Sequence, residues 1–218
     1  MIPLQFALRR RMMMAGGGGA PLSDLPLGAL INVGTDGGAG TPNYEIADKD
    51  NLVSGGVVLV SKDIHSKSIF CSDSNYFYSG GTLDYLINST IYNRMPQKLR
   101  DLMMDTTFYL SISGEITRKM FALSYTMVGF GNLGTAEGKA LQLYKSNAKR
   151  IKKFNGSNND WWTSSRYDNR YSYIVTDSGG YYKGDKEYNH GVVPAFAIPS
   201  ETLYDATPNT DGSYNLIL

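Results

Sequence analysis

Two apolar segments bracketing a polar, tyrosine-rich stretch constrain this chain more than any other feature. Asp160-Trp161-Trp162-Thr163-Ser164-Ser165 holds both tryptophans of the protein. Its C-terminal counterpart, Gly191-Val192-Val193-Pro194-Ala195-Phe196-Ala197-Ile198, is an apolar run opened by a glycine and closed by Pro199. Residues 166–190 between them are crowded with Tyr, Asn, Asp, Ser, Gly and Arg. Two apolar strands around such a stretch describe a rigid frame that holds out a loop surface, where binding residues concentrate.

Length and composition admit one sizeable folded unit. A chain of 218 residues with 42% hydrophobic content can bury a core. The balance of 21 basic against 20 acidic residues speaks against a general nucleic-acid footprint. With 24 glycines and 16 tyrosines, turns and strands are favoured over a helical bundle. The lone cysteine, Cys71, excludes an internal disulfide and any cysteine-pair metal site, and reads as a small half-buried side chain.

The chain divides into an arm and hinge, 1–20, and a display domain, 21–218. In the arm, an apolar run containing Leu4, Phe6 and Leu8 precedes Arg9, Arg10, Arg11 and Met12, and Gly16 to Gly19 form a hinge. Charges that follow the apolar part are in the wrong order for a secretion signal, so synthesis in the cytoplasm is expected. These seven residues are candidates for docking the chain to a partner or sister subunit. The apolar run is too short for membrane insertion.

Within the domain, strands are expected at 25–33, 44–47, 57–60, 108–112, 120–124 and 173–176. Leu83, Ile87, Ile91, Met95, Leu99 and Met103 recur every four residues, the mark of a buried helical stripe. Pro96 splits that stripe into a helix ending near Asn93 and a second one from about Pro96 to Met104. A short helix is expected from Thr135 to Ala148, with Glu137 in its first turn. Gly129 to Gly134 matches GxGxxG letter for letter, but no βαβ unit surrounds it, and it reads as a turn. Asp177-Ser178-Gly179-Gly180 is a hairpin turn signal, and 207–218 suggest a turn and one last strand. The basic run Lys149-Arg150-Ile151-Lys152-Lys153 reads as a solvated face.

Nothing in the pattern calls for catalysis. His65 and His190 belong to no spaced ligand set, so no metal or other cofactor is expected. Ser164 and Ser165 lack a nucleophile-elbow setting, and no motif pairs two carboxylates. Residues 166–190 instead have the composition of an antibody-like paratope. Tyr167, Tyr171, Tyr173, Tyr181, Tyr182 and Tyr188 supply rigid contact area. Arg166 and Arg170 are hot-spot candidates, and Asp168, Asn169, Lys183, Asp185 and Asn189 add polar contacts. The competing reading is that alternate tyrosines merely pack on a sheet.

The pair Trp161-Trp162-Thr163-Ser164-Ser165 and Gly191-Val192-Val193-Pro194-Ala195 resembles the WWLRS…GVRPA signature of a domain family common in tailed bacteriophages and their hosts. The region from Gly81 to Phe108 and that from Lys119 to Gly129 resemble further segments of the family in its usual order. The opening from Pro3 to Met12 looks like the start of phage structural proteins that carry this domain. The resemblance implies an α+β, C-type-lectin-like fold: twisted antiparallel strands with two to three short helices, preceded by an extended N-terminal arm. It also implies a virion- or tail-associated protein that docks to other virion proteins through its arm and binds a host-surface glycan or protein. Display on a symmetric particle implies a homo-oligomer. A structural decoration or tail-assembly protein without a ligand is the alternative, and a glycan-acting enzyme, whose paired acids need not be near in sequence, a more distant one.

Two departures stand out. Val193 replaces the signature's arginine, and Thr163-Ser164 replace its Leu-Arg, so a buried arginine and its partner are expected to have given way to neutral residues. No Glu-Pro-Asn or Trp-Asn-Asp triplet supports calcium-dependent sugar binding.

Overall fold

The computed structural model describes residues 19–34, 43–72 and 78–218, and the arm residues Leu4, Phe6, Leu8, Arg9, Arg10, Arg11 and Met12 lie outside them. The fold is mixed α+β, dominated by strands, with a few short helices. In chain order the strands are β1 (Ala20–Pro21), β2 (Leu30–Asn32), β3 (Asn43–Lys49), β4 (Gly56–Ser61), β5 (Ser66–Ser68), β6 (Thr106–Leu110), β7 (Gly114–Arg118) and β8 (Met120–Ala122). There follow β9 (Lys152–Phe154), β10 (Ser157–Asn159), β11 (Trp161–Arg166), β12 (Tyr171–Val175), β13 (Tyr181–Asp185), β14 (His190–Val192), β15 (Pro194–Pro199), β16 (Leu203–Tyr204) and β17 (Tyr214–Asn215).

Two larger sheets carry the fold. One has six strands in the order β17-β2-β3-β4-β15-β8, the other five in the order β13-β12-β11-β14-β5. Strand β4 is buried on both faces, as its unbroken apolar run requires. The two sheets are joined through β14 and β15, which are separated only by Val193. Strand β14 pairs in parallel with β11, and β15 pairs antiparallel with β4 and β8.

Thus the two bracketing segments meet directly, with Trp161 in register with Gly191. Both indoles are fully buried, and each N–H is satisfied: Trp161 donates to the Arg150 carbonyl at 3.0 Å, Trp162 to that of Ser68 at 2.8 Å. Gly191 is required here, because a Cβ would lie 2.6 Å from Ile64 Cδ1 and 2.9 Å from the Asp160 carbonyl oxygen.

The helical stripe is core throughout: Leu83, Ile87, Ile91, Met95, Leu99 and Met103 are all buried. Its first part runs from α1 (Thr82–Tyr85) through a π-helical stretch (Leu86–Ile91) into α2 (Tyr92–Arg94). It stops before Pro96, and α3 (Gln97–Leu102) begins just after it, as the proline's steric demand dictates. The other expected helix is corrected. Of 135–148, only its end is helical, in α4 (Asn147–Arg150). Gly138 has φ of +83°, and Glu137 is turned fully inward rather than standing on an exposed first turn.

The basic run is corrected as well. Arg150 and Lys152 are 6% and 1% exposed. The Arg150 guanidinium donates to the carbonyls of Val128, Gly129 and Tyr144, and Lys152 pairs with Glu45 at 2.7 Å. The Gly129 to Gly134 segment is a loop, with Gly129, Gly131 and Gly134 all at positive φ. Cys71 is fully rather than half buried. Val193, Thr163 and Ser164 are all buried.

Candidate functional site

The site is built on the hairpin of β12 and β13, which lies at one edge of the five-stranded sheet. The expected turn closes it: Thr176 N–H donates to the Gly180 carbonyl and Gly179 N–H to that of Thr176. Gly179 has φ of +81°, and a Cβ there would stand 2.0 Å from the Asn147 carbonyl oxygen, so the turn is seated against α4.

Pairing across the hairpin places Tyr171 opposite Asp185, Tyr173 opposite Lys183 and Val175 opposite Tyr181. Successive side chains alternate between faces, so these six residues share one face. On it a chain of rings runs from Tyr167 to Tyr173 (5.3 Å), Tyr173 to Tyr125 (4.6 Å), Tyr125 to Tyr181 (5.1 Å) and Tyr181 to Phe130 (5.1 Å). The Arg150 guanidinium backs Phe130 at 4.4 Å. The Lys183 ammonium stands 4.9 Å from the Tyr171 ring and 5.4 Å from that of Tyr167, within cation–π range.

The floor of this cluster is polar and closed. Ser165 Oγ accepts from the Tyr125 N–H and donates to Glu137 Oε2, while Glu137 Oε1 accepts from the Ser111 N–H. Burial pushes the Tyr125 phenol above its ordinary value, helped by its hydrogen bond to Tyr181. Tyr173 is raised by burial, then by Tyr167, Tyr181 and Glu137. Both shifts favour the protonated phenol. Ser165 and Glu137 are fully buried, so this hydroxyl–carboxylate pair is out of reach of a substrate.

At the end of the face, the turn from β11 to β12 is tightly wired. Asp168 Oδ1 accepts from the N–H groups of Arg170 and Tyr171, both at 2.8 Å, and these bonds, Arg170's first, hold its carboxyl below the usual range. Arg166 donates to the Asp168 carbonyl and to Asn169 Oδ1. Arg170 pairs with Asp185 at 2.9 Å and lies 5.4 Å from the Tyr171 ring; the pairing holds Asp185 low as well. Beside this turn opens a shallow cavity of about 400 Å³, lined by Asn169, Arg170, Asp185, Lys186 and Glu187.

The structure therefore brings most, but not all, of the expected residues together. Tyr167, Tyr171, Tyr173, Tyr181 and Lys183 share the face, and Arg166, Asp168, Asn169, Arg170 and Asp185 form its end. Tyr182 pairs with Ile174 and so points to the opposite face of the sheet. Tyr188 and Asn189 lie in the loop beyond β13. Tyr167, Tyr181, Tyr182 and Tyr188 are exposed, whereas Tyr171 and Tyr173 are half-buried. Sequence reasoning missed Tyr125 and Phe130, which brace the face from a distant loop, and Lys186 and Glu187, which line the cavity.

Among the described residues, no group of three or more His, Cys, Asp or Glu is placed to hold a metal ion. No helix among them is long and apolar enough to cross a membrane.

A strand-rich α+β domain presenting an aromatic, mixed-charge face from an edge hairpin is the class that this fold and site define. The chain belongs to the family described as a domain of unknown function, DUF6273, whose model matches residues 54–200. No curated protein and no solved structure matches it.

Proposed function

We propose that this chain is a non-catalytic display module of the C-type-lectin-like kind. Its N-terminal arm would tether it to other proteins of a phage particle, and its 166–190 surface would bind a host-surface glycan or protein. One observation carries the reading: exposed rings are held in place from behind, next to an open polar cavity. Tyr167 and Tyr181 are 48% and 54% exposed, yet each is fixed by ring contacts to Tyr173 or Tyr125. A surface whose side chains are already ordered loses little entropy on binding. The cavity beside it offers two cations, two anions and an amide, suited to a polar ligand.

The test is to present the full chain to an array of bacterial surface glycans and to host-cell envelope proteins. Saturable binding that is lost when Tyr167 and Arg170 are both replaced by serine supports the display reading. Binding to neither probe set removes it, and leaves a structural particle component.

A further inference from the structure

Among the described residues, the edge of the five-stranded sheet formed by β13 is open: strand β12 covers one side of β13, and no described strand pairs with its other side. The direction of its backbone groups follows from two bonds, Thr176 N–H to the Gly180 carbonyl and Lys186 N–H to that of Arg170. In an antiparallel pair, residues that exchange bonds alternate with residues whose N–H and C=O point away from the partner. Hence Gly180, Tyr182, Gly184 and Lys186 spend their backbone groups on β12, and Tyr181, Lys183 and Asp185 point theirs outward. The Asp185 carbonyl is occupied by the Tyr188 N–H, which leaves Tyr181 and Lys183 as the reactive stretch.

Natural edges are usually guarded by a bulge, a proline or an outward-held lysine. This edge has no proline, and its pairing with β12 runs without a register shift. Its one lysine does not stand guard: the Lys183 ammonium is drawn over the rings of Tyr167 and Tyr171 on the face.

We infer that β13 is a self-association edge, which pairs antiparallel with β13 of a second copy about a two-fold axis through Tyr182. The register is selected by the side chains. Centring on Tyr182 places Tyr181 opposite Lys183 of the other copy, twice over, so that no like charges face each other. It also makes all four outward N–H and C=O groups of Tyr181 and Lys183 bond across the axis. Tyr182, 63% exposed, then meets its own symmetry mate on the opposite face. Centring on Lys183 would set two ammonium groups against each other, which is unfavourable. The axis stands perpendicular to the sheet, so the aromatic faces of the two copies lie side by side on one continuous sheet. A ligand with repeated epitopes would engage both faces at once.

Association needs no ligand, so its outcome is separate from that of the binding reading. The full chain, examined by sedimentation velocity from low micromolar to near-millimolar concentration, should shift from one-copy to two-copy mass. Lys183→Pro removes an outward N–H without touching the ladder to β12, and should abolish the shift. Should that variant fold poorly by circular dichroism, Tyr182→Cys decides. On mild oxidation it should give a disulfide-linked dimer, whereas Tyr188→Cys should not, and the native Cys71 is buried and takes no part. A single-copy mass at every concentration, or equal cross-linking of the two cysteine variants, overturns the inference and leaves the edge for an extended peptide of another protein.

Discussion

Glu137 and Ser165 form a hydrogen-bonded pair in the interior, with the serine hydroxyl donating to the carboxylate and neither residue reached by solvent. Glu137 makes no ion pair among the described residues. It joins three separate stretches instead, because Ser111, Thr126 and Ser165 all bond to it. The ring cluster on the hairpin face rests on this joint, since Tyr125 bonds to the same serine. Replacing Glu137 with alanine strands the Ser111 N–H and the Ser165 hydroxyl in the interior, and should cost about 2–4 kcal/mol. Urea unfolding monitored by tryptophan fluorescence measures that cost. A loss below ~1 kcal/mol would mean that water or local rearrangement replaces the carboxylate.

Gly191 marks the contact between β11 and β14. An alanine there would press its methyl group against Ile64 and the Asp160 carbonyl, and the latter is backbone that cannot swing away. Gly191→Ala should therefore destabilise by roughly 2 kcal/mol or more. Gly212→Ala is a useful contrast: φ is +80° there but nothing lies within 4 Å, so only backbone strain of about 1 kcal/mol is expected. Thermal melts of the two variants would rank them, and equal losses would contradict the close packing at Gly191.

Lys152 sits in the interior with Glu45 on one side and the Ser61 carbonyl on the other, each at 2.7 Å. Burial alone would raise the Glu45 carboxyl, but attraction and hydrogen bonds from Lys152, together with Lys62, hold it below its ordinary value of 4.5. Lys152→Met leaves that buried carboxylate with only Lys62, and should cost about 3 kcal/mol at neutral pH. The cost should shrink on acidification below 4.5, where Glu45 takes up a proton in the variant and its charge no longer needs a partner. An unchanged cost across that range, measured by denaturant titration, would refute the pairing.

His190 supplies a second acid response. Burial lowers it from its ordinary value of 6.5; Asp160, at 4.0 Å, works against the shift, and Lys67 adds to it. A group whose folded value is depressed contributes stability above its unfolded value and loses it as pH falls through the folded one. Stability should therefore begin to decline below 6.5, and His190→Gln should remove that upper part while leaving the decline below 4.5 that comes from Glu45. A wild-type stability profile flat between these two values would show that His190 charges freely.

How much of this could be seen beforehand depended on the range of the interactions. The helix break at Pro96 and the hairpin turn at 177–180 follow from local stereochemistry, and the stripe from Leu83 to Met103 follows from period alone. All three stand where expected. The expected helix over 135–148 failed for a non-local reason: its acidic first turn is a buried joint to Ser165, and Gly138 adopts a left-handed conformation. The basic run failed likewise, because the acceptors that draw Arg150 inward are carbonyls from 128–144, and Lys152's partner is in β3. On the hairpin face, the tyrosine-rich stretch was legible from composition. Tyr125 and Phe130 were not, since only folding brings a glycine-flanked loop against β13. Nor could composition show that Tyr182 and Tyr181 stand on opposite faces.

The most direct test of the account is binding by a surface variant that leaves the scaffold intact. Tyr167→Ser, Arg170→Ser and Lys183→Ser combined alter only half-exposed or exposed groups of the face and touch neither tryptophan nor the Glu137 joint. Titration of the full chain and this triple variant against whichever host-surface glycan or protein the wild type captures should show affinity reduced by roughly tenfold or more, with the melting temperature little changed. Equal affinity of the two proteins would contradict a ligand surface on this hairpin.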